Sequence, residues 1–293
     1  MTGHRKVRTY DGHGALASYA ATYNSSPLFS TGYTRDSLGR ITQIAETIQG
    51  TSSTAAFAYD SAGRLFEVRR NGVLTATYLY DLNGNRTSLT TPSGMVSATT
   101  DAQDRLTAYG NATFEYTANG ELRTRIDGAD TTRYTYDALG NLVTVALPTG
   151  DTVSYVLDAA NRRIGRRLNG TLTQGWLYQS QLAPVAELDG SGAVVSRFVY
   201  ATHVNVPDYL VKGGQTYRLV LDHLGSVRLV VNTSDGTVAQ RLDYDEYGRV
   251  TQNTSPGFQP FGYAGVYDSS PYRPTGHSDR IPPALPSPLS AVH

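Results

Sequence analysis

Apolar and polar residues alternate with period two along most of the chain. Thr132, Tyr134 and Tyr136 fall on one side of such a run, and Arg133 and Thr135 on the other. Arg228, Val230 and Asn232 alternate likewise with Leu229, Val231 and Thr233. This period sends successive side chains to opposite faces of a half-buried antiparallel strand. No helix-period run longer than about 12 residues interrupts it. The runs are short, and turn signals close them. Asn71-Gly72, Asp127-Gly128, Asn169-Gly170, Asp189-Gly190 and Asp235-Gly236 read as tight hairpin turns.

A second turn type recurs in phase. Its pattern is an aromatic, Asp, two variable residues, Gly, a polar residue and then an apolar one. Good copies are Tyr59-Asp60-Ser61-Ala62-Gly63-Arg64-Leu65 and Tyr136-Asp137-Ala138-Leu139-Gly140-Asn141-Leu142. The leading positions are 10, 35, 59, 80, 100, 116, 136, 157, 178, 200, 221, 244 and 267, spaced 16 to 25 residues apart. Copies that have lost the motif, such as Thr100 and Leu157, stay in phase. Asp can accept hydrogen bonds from backbone N–H groups just ahead of it, and Gly supplies a positive φ. One unit of roughly 20 residues is therefore two short strands and two turns. Stacked units give about 26 strands, with the repeated turns aligned along one edge of the sheet.

The predicted fold class is all-β: a continuous antiparallel β-hairpin repeat sheet, a spiral or curled shell segment, open rather than closed. Strands of about 5–8 residues and almost no helix are expected from Val7 to Val250. Trp176 to Gly213 loses the Asp–Gly turn but keeps the phase, so no boundary falls there. Eight of the 13 prolines lie from Pro256 onward, and Pro271 to His293 has no alternation. The expected organisation is a repeat sheet over 1–220, a distinct segment over 221–268, and an extended or disordered tail over 269–293.

Composition agrees with strands and turns. Lys6 and Lys212 are the only lysines among 25 basic residues, and only six of 25 acids are Glu. Helical surfaces favour Glu and Lys, whereas turns favour Asp, Asn and Gly. The charges balance, so no bulk electrostatic reason for a nucleic-acid or anionic-membrane partner exists. There is no cysteine, which excludes disulfides and thiolate metal sites. Met1 to Tyr10 is basic with no apolar run behind it, unlike a signal peptide. Localisation is left unknown; export inside a larger protein would need a signal-independent route. No stretch approaches a membrane span.

The Tyr-Asp-x-x-Gly-Arg/Asn-Leu string at this period resembles the YD repeat of the Rhs and teneurin-like superfamily, over about Tyr10 to Tyr267. Leu221-Asp222-His223-Leu224-Gly225-Ser226 looks like the segment that opens the Rhs-associated core. Asp235-Gly236, Tyr244-Asp245-Glu246-Tyr247-Gly248-Arg249 and Phe261-Gly262-Tyr263-Ala264-Gly265 follow as in that family. The resemblance implies a spiral β-sheet enclosing a C-terminal toxin domain, as in insecticidal toxin-complex shell proteins, or an animal adhesion protein. It also implies an aspartate-dependent cleavage at an Asp-Pro-x-Gly motif. No Asp-Pro dipeptide exists here, and Ser269-Ser270-Pro271 departs from the pattern. The expectation is a truncated piece of a longer shell, in phase from Tyr10 without an N-terminal cap.

No catalytic, cofactor-binding or metal-binding residue is expected. The aspartates Asp60, Asp81, Asp101, Asp137, Asp158 and Asp245 repeat, as turn residues do and catalytic acids do not. Tyr59, Tyr80, Tyr116, Tyr136 and Tyr244 read as a packing ladder, with carbohydrate stacking as the functional alternative. Asp222, His223 and Ser226 superficially supply orienter, base and nucleophile, but neighbouring strand residues face opposite ways and no nucleophile elbow is present. The six histidines are scattered. Arg162, Arg163, Arg166 and Arg167 form the densest basic patch. Alternation places 162 and 166 on one face and 163 and 167 on the other, so a solvated hairpin is expected. The function expected is a non-catalytic shell segment whose intact parent encapsulates a toxin domain absent here. The alternative is a cell-surface adhesion or carbohydrate-binding repeat protein.

Overall fold

The computed structural model describes residues 3–265. Tyr267-Asp268 and the 269–293 tail lie outside the described residues. Two compact units divide at Gly110 and Asn111. The first holds β1 (His4–Tyr10), β2 (Leu16–Tyr23), β3 (Ser26–Arg35), β4 (Ile41–Ile48), β5 (Thr51–Tyr59), β6 (Leu65–Arg70), β7 (Val73–Tyr80), β8 (Arg86–Thr91), β9 (Gly94–Thr100) and β10 (Leu106–Tyr109). Chain neighbours from β1 to β10 pair antiparallel.

The second unit holds β11 (Ala112–Tyr116), β12 (Leu122–Asp127), β13 (Asp130–Tyr136), β14 (Leu142–Ala146), β15 (Thr152–Leu157), β16 (Arg163–Leu168), β17 (Thr171–Tyr178), β18 (Pro184–Asp189), β19 (Val194–Val199), β20 (Tyr209–Lys212), β21 (Gln215–Leu221), β22 (Val227–Asn232), β23 (Val238–Tyr244) and β24 (Val250–Asn253). Here too chain neighbours pair antiparallel. The all-β hairpin-repeat class is thus the observed one. Tyr263–Gly265 forms one 3₁₀ turn.

The turns sort by edge. Repeat turns at Asp36, Asp60 and Asp81 join β3–β4, β5–β6 and β7–β8. Those at Asp137, Asp158 and Asp222 join β13–β14, β15–β16 and β21–β22. Within each unit every such turn follows an odd-numbered strand, and so lies on one edge. Tight turns close the other edge. Asn71-Gly72 and Asn169-Gly170 have positive φ at both residues, as two-residue hairpin loops matched to strand twist require. Asp189 differs from its predicted form. The positive φ falls on Gly192, not Gly190, because Asp189 opens a four-residue turn and caps it with its carboxylate. Asp235-Gly236 likewise ends a longer loop, in which the Asn232 N–H reaches the Thr237 carbonyl. The Asp127 turn is Gly128-Ala129.

Each repeat turn carries a register shift where the aromatic meets the turn, as between Ala58 and Tyr59 or Thr135 and Tyr136. Such a β-bulge re-aims one side chain and adds local twist. It also corrects the predicted arginine faces. The shift between Val156 and Leu157 puts Arg163 out of simple alternation. Arg163 lies over the Tyr155 ring at 4.3 Å, and Arg166 pairs directly across from the same tyrosine. Arg162 belongs to the Asp158 turn.

Burial follows the two-residue period. Ala21, Phe29 and Ile48 sit side by side in register and are buried, as are Tyr134, Val145 and Val153. The densest core lies in β19 to β23. Phe198, Leu210, Leu219, Val230 and Leu242 are covered there by Val206 and Phe261. Two non-repeat segments, 201–208 and 255–265, supply that cover.

Candidate functional site

The repeat turn is the unit from which the surface is built. In the Asp137 copy, Oδ1 accepts the N–H groups of Leu139 and Asn141, both at 2.9 Å. Oδ2 accepts the Asn141 amide at 2.9 Å. The Gly140 N–H closes on the Asp137 carbonyl at 3.1 Å, with Gly140 at φ 79. Asp60 and Asp158 do the same with Arg64 and Arg162, whose guanidinium Nε donates to Oδ2. The Asn141 side-chain amide beside Asp137, and the Arg162 guanidinium beside Asp158, lead the hydrogen bonds that hold these carboxyls below their ordinary range. These acids are ionised acceptors rather than proton donors.

Neighbouring repeats are joined by the tyrosine. Tyr59 donates to the Ile41 carbonyl, Tyr80 to Leu65, Tyr136 to Leu122 and Tyr244 to Val227, at 2.7–3.0 Å. Each acceptor lies just past the preceding repeat turn. Tyr178 and Tyr200, whose repeats lack the Asp, make the same bond, to Arg163 and Pro184. Burial pushes the Tyr178 and Tyr200 hydroxyls above their ordinary pKa. Arg35 stands in the tyrosine position, and its guanidinium reaches the Leu16 carbonyl at 2.7 Å. The aromatic ring also receives the preceding arginine: Arg40 lies 4.6 Å from the Tyr59 centroid, and Arg162 lies 5.4 Å from that of Tyr178. The predicted tyrosine ladder is therefore a hydrogen-bonded clasp as well as a packing surface.

The degenerate turns keep their shape by substitution. Asp104 and Asn161 occupy the glycine position with φ 60 each, the two side-chain types that best tolerate it. Asp104 accepts amide N–H groups from Asn83 and Asn85 of the preceding turn, and Asn161 accepts from Asn141.

The His223 neighbourhood is built as a turn. Asp222 Oδ1 accepts from the N–H groups of Leu224 and Ser226, both at 2.9 Å. Ser226 is fully buried, and its Oγ accepts the Ala264 N–H at 3.0 Å. That hydroxyl pins the 255–265 segment to the sheet. Gln259 adds to the attachment: its Nε2 donates to Gln240 Oε1 at 3.1 Å, and its Oε1 accepts the Phe261 N–H at 2.6 Å. Tyr263 stacks edge-on against Tyr244. Burial, with Asp222 and Asp245 nearby, pushes its hydroxyl up to about 12. Pro207 marks residues 201–208 in the sequence as a loop, but no motif there points to Asp208. Asp208 is nearly fully buried there, and it accepts from the Ala201 and Thr202 N–H groups and the Thr202 hydroxyl. Its loop replaces the repeat turn between β19 and β20.

Two shallow concavities mark the sheet surfaces. One, about 760 Å³, is lined by Glu115, Asn119, Glu121, Arg133 and Asp137 among others. The other, about 490 Å³, is lined mostly by small residues such as Ser30, Gly32, Ala45 and Ser53. Among the described residues no group of three or more His, Asp or Glu is placed to hold a metal ion. No helix there is long and apolar enough to cross a membrane.

Hairpin repeats clasped by tyrosine and capped by aspartate define a YD-repeat β-shell domain. The chain belongs to the teneurin YD-shell family, whose model matches residues 3–270. Teneurin-3 from Danio rerio is 26% identical over 89% of this chain and 10% of its own length. The tRNA3(Ser)-specific nuclease WapA from Bacillus spizizenii is 28% identical over 60% of this chain and 8% of that protein. The chain thus spans about a tenth of the length of the curated relatives it matches. The crystal structure of TcdB2-TccC3 shares the fold with a TM-score of 0.56 at 16% identity, covering 89% of this chain and 16% of that one. The Tc holotoxin pore of Photorhabdus luminescens gives 0.54 at 15%, over 89% and 15%.

Proposed function

We propose that this chain is a non-catalytic wall segment of a longer YD-repeat protein, and that the intact parent encloses a C-terminal toxin. The observation that carries this reading is the clasp. Tyrosine hydroxyls and the Arg64 guanidinium hold one repeat to the next, and the aspartate carboxylates hold their own turns, so groups that elsewhere do chemistry are spent on structure. The fold likeness to the Tc holotoxin pore and the sequence likeness to part of a nuclease support a toxin-linked parent. The 221–268 segment then serves as a specialised part of the wall, where 255–265 folds back onto the sheet.

The test is limited proteolysis of the parent protein with its downstream coding segment intact. Enclosure predicts that the downstream domain survives protease until the shell is unfolded. Digestion of that domain at the rate of a free polypeptide would overturn the proposal. Specific micromolar binding on a glycan array, with no cargo downstream, would favour the adhesion reading instead.

A further inference from the structure

We propose that Asn119 is a built-in deamidation site, set apart from the other Asn-Gly pairs by a repeat turn whose clamping aspartate is missing. Asn-Gly occurs at 71–72, 83–84, 119–120 and 169–170. The structure holds three of these. Asn71 Oδ1 accepts the Thr54 N–H at 2.8 Å. Asn169 accepts the Thr152 N–H and donates to Asp151, both at 2.8 Å. Asn83 donates to Asp104 at 3.0 Å, and its own backbone N–H is held by Asp81.

All four asparagines are exposed, but the Asn119 side chain has no hydrogen-bond partner among the described residues. Thr117 stands where the clamping Asp would be. Its hydroxyl accepts only the Glu121 N–H, at 3.2 Å, and donates to the Glu121 carboxylate. The Asn119 N–H makes no bond to that hydroxyl, whereas the Asp of other copies binds the equivalent N–H. The Gly120 N–H still closes the turn on the Thr117 carbonyl at 3.1 Å, and opening that one bond lets Gly120 N approach Asn119 Cγ, whose side chain nothing else holds. Gly120 has no side chain to obstruct that approach.

The chemistry needs only water and hydroxide. The Gly120 nitrogen attacks Asn119 Cγ and forms the C–N bond of a cyclic imide. The bond from Cγ to Nδ2 breaks, and the Gly120 amide proton leaves with the NH₂ group as ammonia. Water then adds across one imide C–N bond, giving aspartate or isoaspartate. The new carboxylate borders the concavity already lined by Glu115, Glu121 and Asp137. The reaction makes that patch more acidic with time and alkalinity.

The experiment incubates the full-length protein at mildly alkaline pH and follows each Asn-Gly peptide by mass, each event adding about 1 Da. In the folded protein Asn119 should react about tenfold faster than Asn71, Asn83 and Asn169. In urea the four rates should converge. Thr117→Asp should restore the clamp and slow Asn119 severalfold. The other three sites in the same digest report whether the variant is folded. Equal rates in the folded protein would overturn the proposal. So would an unchanged Asn119 rate in a folded Thr117→Asp variant.

Discussion

Tyr80 is held on two sides by the repeat before it: its hydroxyl donates to the Leu65 carbonyl at 2.8 Å, and Arg64 lies 4.8 Å from its ring centroid. Arg64 also donates to the Asp81 carbonyl at 2.8 Å, so one arginine spans both turns. The shell is therefore tied along its turn edge by side chains, in addition to the strand ladder. Loss of one tie should be felt locally rather than across the array, because each repeat contacts mainly its neighbours.

Tyr80→Phe keeps the ring and the arginine contact but removes the hydroxyl. The Leu65 carbonyl loses its side-chain partner, and the expected cost is about 1 kcal/mol. Hydrogen exchange should quicken in β6 to β8 and stay unchanged in β1 to β3. A uniform change over the first unit would count against a local clasp. Tyr80→Ala should cost more, since the stacked ring is lost as well.

The repeat turns also set the acid limit of the fold. The Arg105 side chain beside Asp101, the Asn141 amide beside Asp137 and the Arg162 guanidinium beside Asp158 lead the causes that lower these carboxyl pKa values. In the unfolded chain the same groups titrate near about 3.9. As pH falls, the unfolded state takes up protons first. The stabilisation is complete well above the unfolded value and is lost as pH drops through the depressed folded values. The urea midpoint should therefore be flat from about pH 7 to 5 and fall below about pH 4. Asp158→Asn should flatten part of that fall. A midpoint already declining between pH 7 and 5 would assign the acid sensitivity to other groups.

Much of this was legible in the sequence, for a local reason. The Asp that caps, the Gly that turns and the residue that pairs with the Asp lie within five positions, so their logic survives without tertiary contacts. The strand pattern was equally local. The tyrosine bond was less visible: its acceptor is 14 to 18 residues away and is a backbone carbonyl that any residue supplies. Arg35 in the tyrosine role carries no sequence signal beyond its phase. The Ser226–Ala264 contact spans 38 residues, and Asp208 sits outside the repeat. Spacing alone had no means of finding either. Strict alternation puts Arg163 and Arg166 on opposite faces because it ignores the bulge.

Asp104 and Asn161 give a paired test of how glycine was replaced. Both hold φ 60, a conformation that costs a non-glycine residue of order 1 kcal/mol. Asn161→Gly relieves that and gives up one 3.2 Å bond from Asn141; it should be mildly stabilising. Asp104→Gly relieves the same strain but removes the acceptor for both Asn83 and Asn85; it should be neutral or destabilising. Asn161→Ala gains nothing and should cost about 1 kcal/mol. Urea midpoints of the three variants check the order. Asp104→Gly stabilising more than Asn161→Gly would show that the inter-turn amide bonds contribute nothing.

Gly248 carries the sharpest steric prediction. Its φ is 82, and a Cβ there would lie 2.5 Å from both Cγ and Cδ1 of the Tyr263 ring. The ring is not a free flexible end: it packs on Tyr244, and its neighbour Ala264 is tied to Ser226. Gly248→Ala must therefore strain the Asp245 turn or lift the 263–265 turn away. The second route exposes Phe261 and uncovers Gln259 and Gln240, which are buried in the covered state. Overpacking of this kind costs about 1–3 kcal/mol, and the positive φ adds to it. The expected readout is protease cleavage and rapid hydrogen exchange within 255–265, with β11 to β16 unaffected. Tyr263→Ala in the Gly248→Ala background should restore much of the lost protection, since it removes the clashing ring. If the double variant is no better protected than Gly248→Ala alone, the damage lies in the turn backbone and not in the contact with Tyr263.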